Sequence, residues 1–263
     1  MTKRPGAIAL GLAAILLSSL AAIVTINVGA ALSVANQPSG GVVIPPTRQS
    51  RGPLNILVLG DSLASGYHAS TRQKSFVGLL GSRLDVERPG STVFNESQPG
   101  VAAAGMLAQL HRASSNPVDI VLVVVGANDI RKLTNPISFA IQERALLENV
   151  HAKYPAAPVL LATIPDVSAR YFAIRPRNGA GGIAPLRAPL VILIAVDDTI
   201  IRKTAARFGA TIVDLHALSV AKGADDPRFI SPDGLHPSDV GHARIADFVW
   251  PTLAHAAGID NEQ

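Results

Sequence analysis

The sequence predicts an α/β protein: a three-layer α/β/α sandwich around a five-stranded parallel sheet. Three observations predict it. From Leu54 onwards, short apolar runs alternate with longer stretches of helical period, which is the pattern of a parallel sheet covered on both faces. The runs are continuously apolar, as in "VDIVLVVVG" (118–126), so each suits a strand buried on both sides. The chain of 263 residues is 48% hydrophobic and 16% charged, enough for a large core and too apolar for disorder.

The elements follow in order. "LNILVLG" (54–60) is the first strand and ends in Gly. "KSFVGLLGSRL" (74–84) has apolar residues at helical spacing. "STVFNES" (91–97) is a weaker strand and "VAAAGMLAQLHRA" (101–113) a helix. "VDIVLVVVG" is the strongest strand of the chain. "PISFAIQERALLENVHAKY" (136–154) is an amphipathic helix whose Pro136 suits the first turn. "PVLLATI" (158–164) is the fourth strand. A long helix fits within residues 188–208, closed by Gly209. "ATIVDL" (210–215) is the last strand. "PSDVGHARIADFVWPTLAHA" (237–256) is the closing helix, with Ser238 or Asp239 near its start and Pro251 expected to kink or end it.

The N-terminus has a different composition. Lys3 and Arg4 precede a stretch without charge from Pro5 to Thr47, apolar from Ala7 to Ala35. That run exceeds the roughly 7–15 residues of a signal-peptide core and is long enough to span a bilayer. Ser33-Val34-Ala35 suits signal peptidase. Residues 1–35 therefore read as a signal peptide or signal anchor, with the positive end inside. Residues 36–53, rich in Pro, Gly and Ser, read as a linker. The folded domain is expected over 54–257, with 258–263 as a tail. The protein is expected to be secreted or anchored on the outer face of the cytoplasmic membrane. An uncleaved segment would make the membrane a partner.

Composition excludes several functions. There is no cysteine, hence no disulfide scaffold, thiolate nucleophile or Cys-bound zinc. The net charge is +4, with Lys3 and Arg4 supplying two of those charges, and no Lys/Arg stripe marks a nucleic-acid surface. No His/carboxylate spacing for a metal and no phosphate-binding Gly-rich loop occurs. The sequence implies no cofactor and no metal.

In a parallel sheet, ligands bind beyond the carboxyl ends of the strands. Four short stretches fall there: Gly60-Asp61-Ser62, "QPGVAAAG" (98–105), "GAND" (126–129) and "SPDGLHPSD" (231–239). They supply a hydroxyl, glycine amides, a carboxamide and an Asp-x-x-His pair, a set suited to acyl transfer through a serine. The chain resembles the SGNH, or GDSL, hydrolase family over about residues 54–257. That family carries Ser in Gly-Asp-Ser, then Gly, then Asn in Gly-x-Asn-Asp, then Asp-x-x-His. Here these are Ser62, Gly100, Asn128, Asp233 and His236, with Gly105 a second glycine in the same block.

The resemblance implies a flavodoxin-like sheet and a carboxylic ester hydrolase. It makes Ser62 the nucleophile, His236 the base, and Asp233 the group that orients His236. It assigns the oxyanion hole to Ser62, Gly100 and Asn128. Asp61 and Asp129 are expected to brace their turns. His68 and His242 are expected to have surface or packing roles. The segment 166–187 is long for a βα connection. Its Tyr171 and Phe172, with Arg170, Arg175 and Arg177, are candidates to grip substrate. The substrate is expected to be an ester, whether a small molecule, a lipid or an acylated glycan. An acyltransferase and a non-catalytic ligand-binding domain are the alternatives.

Overall fold

The computed structural model describes residue 25 and residues 27–36, 52–113, 117–168 and 187–259; for Arg187 and Ala188 it describes the backbone alone. The five strands are β1 (Asn55–Gly60), β2 (Thr92–Asn95), β3 (Ile120–Val124), β4 (Val159–Ala162) and β5 (Thr211–Val213). All pair in parallel, in the order β2-β1-β3-β4-β5. The predicted fold class is the observed one.

Among the described residues, eight α-helices flank the sheet. They are α1 (residues 27–36), α2 (Phe76–Glu87), α3 (Ala103–Arg112), α4 (Ala127–Lys132), α5 (Pro136–Lys153), α6 (Arg187–Phe208), α7 (Leu215–Val220) and α8 (Asp239–Ala256). Alternation along the strands divides the core in two. Leu57, Leu59, Val121, Val123, Val159 and Leu161 meet Met106 and Leu110 of α3, Leu146 and Leu147 of α5, and Ile200 and Ile201 of α6. Ile56, Val58, Ile120, Leu122 and Leu160 meet Phe76 and Leu80 of α2 and Val249 and Leu253 of α8 on the other face.

Local chemistry sets the helix starts. Ser75 Oγ accepts from the Gly78 amide at 3.0 Å and caps α2. Asn135 Oδ1 accepts from the Ile137 amide at 2.8 Å and caps α5, with Pro136 in its first turn. Ser238, not Asp239, caps α8 through the Gly241 amide at 3.2 Å. Pro251 does not end that helix, which runs on to Ala256. Pro251 is exposed, whereas Val249 and Leu253 on either side are buried against the sheet. Packing outweighs the helix cost of proline, about 3 kcal/mol.

The N-terminal segment enters the description as α1. Ala31 and Ala35 are fully buried in the α3/α5/α6 layer, with Leu32 and Val34 packed beside them. The Asn135 amide nitrogen donates to Asn27 Oδ1 at 3.2 Å. Among the described residues, no helix is long and apolar enough to cross a membrane. Residues 1–24, with Lys3 and Arg4, lie outside the described residues.

The same layer buries acids. Glu143 on α5 and Asp197 on α6 are fully buried, and among the described residues neither carboxyl has a hydrogen-bond partner. Burial pushes the Glu143 carboxyl up to about 8, and Asp129 adds to the effect. Burial likewise pushes Asp197 up to about 8, with Asp129, Asp198 and Glu143 adding to it. Such a carboxyl holds its proton more tightly in the folded chain than in the unfolded one, where its value is about 4. The stability it lends is complete below about pH 4 and is lost as the pH rises through about 8. The protein is therefore expected to unfold at lower temperature at pH 9 than at pH 6. Glu143→Gln and Asp197→Asn should raise Tm at pH 9 and flatten this dependence, each kcal/mol being worth about 2–4 °C in a chain of this size. Calorimetry across pH 5–9 on the three proteins checks it.

Candidate active site

The strand order reverses between β1 and β3: the chain leaves β1 for β2 on one side and returns to β3 on the other. A crevice opens at such a switch point, and Ser62 stands at it. Gly60 ends β1 because nothing larger fits. A Cβ there would lie 2.5 Å from Ala64 Cβ and 2.8 Å from the Val124 carbonyl. The Asp61 amide extends the ladder, donating to the Val124 carbonyl at 3.2 Å. Gln109, fully buried on α3, grips both backbone atoms of Gly60: its Nε2 donates to the carbonyl at 2.8 Å, and its Oε1 accepts from the amide at 2.9 Å. The chain then turns tightly, with the Tyr67 amide donating to the Ser62 carbonyl at 3.0 Å.

Asp61 braces that turn. Its Oδ1 accepts from the Leu63 amide at 2.9 Å. Burial pushes its carboxyl up to about 7, and the nearby Asp129 adds to this. Asp129 is hydrogen-bonded to Thr134 beyond its own turn and also braces a neighbouring element, accepting from the Ala103 amide at the start of α3 at 2.9 Å. Burial raises its carboxyl too.

His236 arrives from the far end of the chain. Ser62 Oγ–H donates to His236 Nε2 at 2.9 Å, and His236 Nδ1–H donates to Asp233 Oδ2 at 2.5 Å. The loop carrying the pair is tightly turned: the Ser231 amide donates to the His236 carbonyl at 2.8 Å, and Ile230 bridges to Pro237. Asp233 Oδ1 accepts from Ser231 Oγ and from the Leu235 and His236 amides at 2.6–3.0 Å. Burial alone would raise the Asp233 carboxyl. The hydrogen bonds from His236, Ser231 and the two amides outweigh it and hold the group well below the usual carboxylate range. Asp233 thus holds a proton far more weakly than a free carboxyl does.

Gly100 and Asn128 line the same cavity as Ser62 and His236. Gly100 sits in an exposed turn at φ +80°, with open space beside it. Gly105 lies within α3, its α-carbon facing Val101. Among the described residues, neither the Ser62 nor the Gly100 amide has an acceptor. The Asn128 carboxamide is oriented from both ends. Its Nδ2 donates one hydrogen to the Val101 carbonyl at 3.1 Å, and Arg131 Nε donates to its Oδ1 at 3.3 Å. Among the described residues the second N–H has no acceptor and can meet a ligand. Arg131 was not legible as a site residue: its relation to Asn128 depends on α4, a helix too short to show a period.

Two histidines carry more than the sequence suggests. His242, fully buried on α8, accepts from the Phe76 amide at Nδ1 and donates from Nε2 to the Tyr67 carbonyl, both at 3.3 Å. It ties α2, α8 and the Ser62 loop together, and burial lowers its affinity for a proton. His68 is exposed, as expected, and it also places Nε2 at 3.2 Å from Asp233 Oδ2. The loop after Ser62 bends back over the acid, a contact that a separation of 165 residues hides. The ligand atoms of His68, Asp233 and His236 lie within 4.8 Å of one another, a grouping that linear spacing did not reveal. Tyr171 and Phe172, and Arg170, Arg175 and Arg177, lie outside the described residues. The start of their segment, Asp166 and Val167, does line the cavity, beside Pro165.

The cavity holds about 520 Å³. From Ser62 it runs between α7 and the first turns of α8, walled by Leu215, Leu218, Phe229, Ile230, Leu235 and Ile245. Arg131 and Arg244 stand among its polar groups, Arg244 lying 4.5 Å over the Phe229 ring.

Comparison with known proteins agrees with this architecture. Residues 58–244 match the model of the GDSL-like Lipase/Acylhydrolase family. Esterase TesA of Pseudomonas aeruginosa is 26% identical over 220 residues, covering 82% of this chain and 95% of that protein. A crystal structure of TesA superposes with a TM-score of 0.59 at 25% identity, covering 77% of this chain and 99% of that one. An extracellular lipase from Streptomyces rimosus superposes with a TM-score of 0.58 at 20% identity, covering 77% and 99%. The family match spans well over half the chain and includes Ser62, Gly100, Asn128, Asp233 and His236: the chain belongs to the GDSL-like lipase/acylhydrolase family.

Proposed function

We propose that this hydrolase is an exported serine esterase, that it cleaves carboxylic esters through an acyl-enzyme on Ser62, and that it favours acyl chains of several carbons. The observation that carries the reading is the unbroken line from Ser62 Oγ through His236 to Asp233, at 2.9 and 2.5 Å.

The chemistry follows from the groups in place. His236 Nε2 takes the Ser62 proton as Oγ attacks the ester carbonyl. The carbonyl oxygen gains a negative charge and is met by the Ser62 and Gly100 amides and the free Asn128 N–H. Asp233, already anionic, stabilises the imidazolium formed on His236. The C–O bond to the leaving alcohol breaks, and His236 returns its proton to that alcohol. Water then repeats the sequence on the acyl-enzyme, releasing the acid and restoring the Ser62 hydroxyl.

The cavity supports the acyl preference, since its walls are mostly apolar side chains and it is large enough for a chain of several methylenes. The names of the relatives, an esterase and an extracellular lipase, point the same way. Export is inferred from Lys3 and Arg4 ahead of the long charge-free segment. The burial of Ala31 and Ala35 favours a segment that stays attached, because cleavage after Ala35 would strip residues from the core.

Ser62→Ala and His236→Ala should each reduce hydrolysis of p-nitrophenyl esters by about 10³-fold or more, and the double variant should be hardly worse, since the residues act as one unit. Asn128→Ala should lower kcat by about 10²–10³-fold. A fluorophosphonate probe should label Ser62. Retention of full activity by Ser62→Ala would overturn the reading. Running the assay with and without a sugar acceptor detects any acyl transfer.

Leu218→Trp narrows the cavity wall. It should lower the ratio of octanoate to acetate hydrolysis by about tenfold or more, because each methylene excluded from an apolar pocket costs about 1 kcal/mol or more. An unchanged ratio would mean that the acyl chain lies elsewhere. Membrane fractionation with N-terminal sequencing should recover the intact chain outside the cytoplasm.

A further inference from the structure

His68 touches the same carboxylate oxygen as His236. Its Nε2 lies 3.2 Å from Asp233 Oδ2, and the His236 Nδ1 contact to that oxygen is 2.5 Å. The two imidazole rings are stacked, with centroids 5.5 Å apart and planes 26° apart. Tyr67 closes the group, its ring edge-on to His68 at 4.6 Å and to His236 at 4.8 Å. The backbone of His68 adopts φ +68°, a left-handed conformation that a non-glycine residue takes up at a cost. The chain holds it there from both sides: the Tyr67 amide donates to the Ser62 carbonyl, and Ser70 is fixed to Asp239 through its amide and its hydroxyl. Nothing in the mechanism above uses this residue, yet the loop is arranged to deliver it.

We propose that His68 is a positioning residue for ester hydrolysis. Its Nε2–H is the second donor on Asp233 Oδ2, and its ring is the wall against which His236 rests. This builds on the reading of Ser62, His236 and Asp233 as the reacting unit. The physical case is geometric. A carboxylate with one donor on an oxygen can swing about that bond, whereas two donors from different directions fix the oxygen in place. His236 must point Nε2 at Ser62 Oγ while neutral and at the leaving oxygen while charged. A base whose orientation is held by a fixed acid and a stacked ring keeps that aim through both steps, which is worth rate and not substrate affinity. Both contacts reach the reaction only through His236 and Asp233, so His68 itself exchanges no proton with the ester.

Three variants separate the two contacts. His68→Phe keeps the stacked ring and loses the donor. His68→Gln keeps a donor at the reach of Nε2 and loses the ring. His68→Ala loses both. Steady-state hydrolysis of p-nitrophenyl butyrate is measured for each, with rates expressed per Ser62 titrated to completion by a fluorophosphonate, so that misfolded protein is not counted. The expected result is a fall in kcat of about tenfold for His68→Phe, about 1.4 kcal/mol of barrier, and a larger fall for His68→Ala. His68→Gln should recover most of the loss relative to His68→Ala, with KM unchanged within about twofold throughout.

Wild-type kcat in His68→Phe would overturn the donor role. A rise in KM at constant kcat would make His68 a substrate contact instead. Loss of wild-type activity on EDTA treatment, restored by zinc only while His68 is present, would make the grouping a metal site and also overturn the proposal. The parent reading fails separately, through an active Ser62→Ala.

Discussion

The site depends on the position of β1, which is hydrogen-bonded to β2 on one side and β3 on the other. A strand held on both edges cannot shift without breaking two ladders at once, and its burial on both faces fixes its register as well. Everything beyond Gly60 inherits that rigidity. The three loops that leave β1, β2 and β3 bring Ser62, Gly100 and Asn128 to one crevice because their strands are neighbours with aligned carboxyl ends. The Gln109 clamp and the Asp61-to-Val124 hydrogen bond extend the order one residue past the sheet, to the residue before Ser62. His236 has no such direct route. It is brought in by α8, which packs beside α2 and is joined to the Ser62 loop through His242 and through Asp239, whose oxygens accept from Ser70 and Lys74.

Two populations of carboxyl group follow from this arrangement. Asp233 collects donors from Ser231, His236 and two amides, with His68 Nε2 3.2 Å from its Oδ2, and its carboxyl lies well below the usual range despite partial burial. Asp61, Asp129, Glu143 and Asp197 lie deeper with few donors or none, and burial raises them all. The division serves the chemistry. An anion beneath the crevice would oppose the negative charge that forms on the carbonyl oxygen, whereas one behind His236 favours the imidazolium. Burial raises the deep carboxyls, whereas the donors on Asp233 lower that group, so depth and donor count together set the two apart.

Most of the fold was legible because each strand is a continuous apolar run and each long helix has a periodic face. The sheet, its parallel sense and the five long helices were readable from residues. The short helices α4 and α7 were not: six residues give less than two turns of period, and their positions are set by the loops they continue. Pro251 misled because its cost was legible and the packing of Val249 and Leu253 was not. At the site, motif residues with fixed neighbours, such as Asp233 and His236, stood out. His68, Arg131, Gln109 and His242 did not, since each acts across a distance in sequence that only the folded chain closes. The walls of the cavity were invisible for the same reason, coming from α7, α8 and the loop between them.

That loop joins substrate binding to the alignment of the base. Phe229 and Ile230 wall the cavity, and Leu235 lies between Asp233 and His236 while lining the same space. The segment rests directly on α8 because Gly241 has no side chain: a Cβ there would collide with the Phe229 carbonyl. The Ser238 amide donates to that carbonyl at 3.0 Å, and the Ser231 amide donates to the His236 carbonyl. The apolar wall and the catalytic loop are therefore one hydrogen-bonded piece, seated on one helix terminus. If an acyl chain fills the cavity, as proposed, it would press on Phe229 and Leu235, and through them on the loop that carries His236. A chain too short to touch the wall leaves that loop to be held by its own hydrogen bonds and by the contacts of His68 and Tyr67. On the proposed reading, preference among acyl lengths would belong to the rate of the chemical step as well as to binding, because the same residues would carry both.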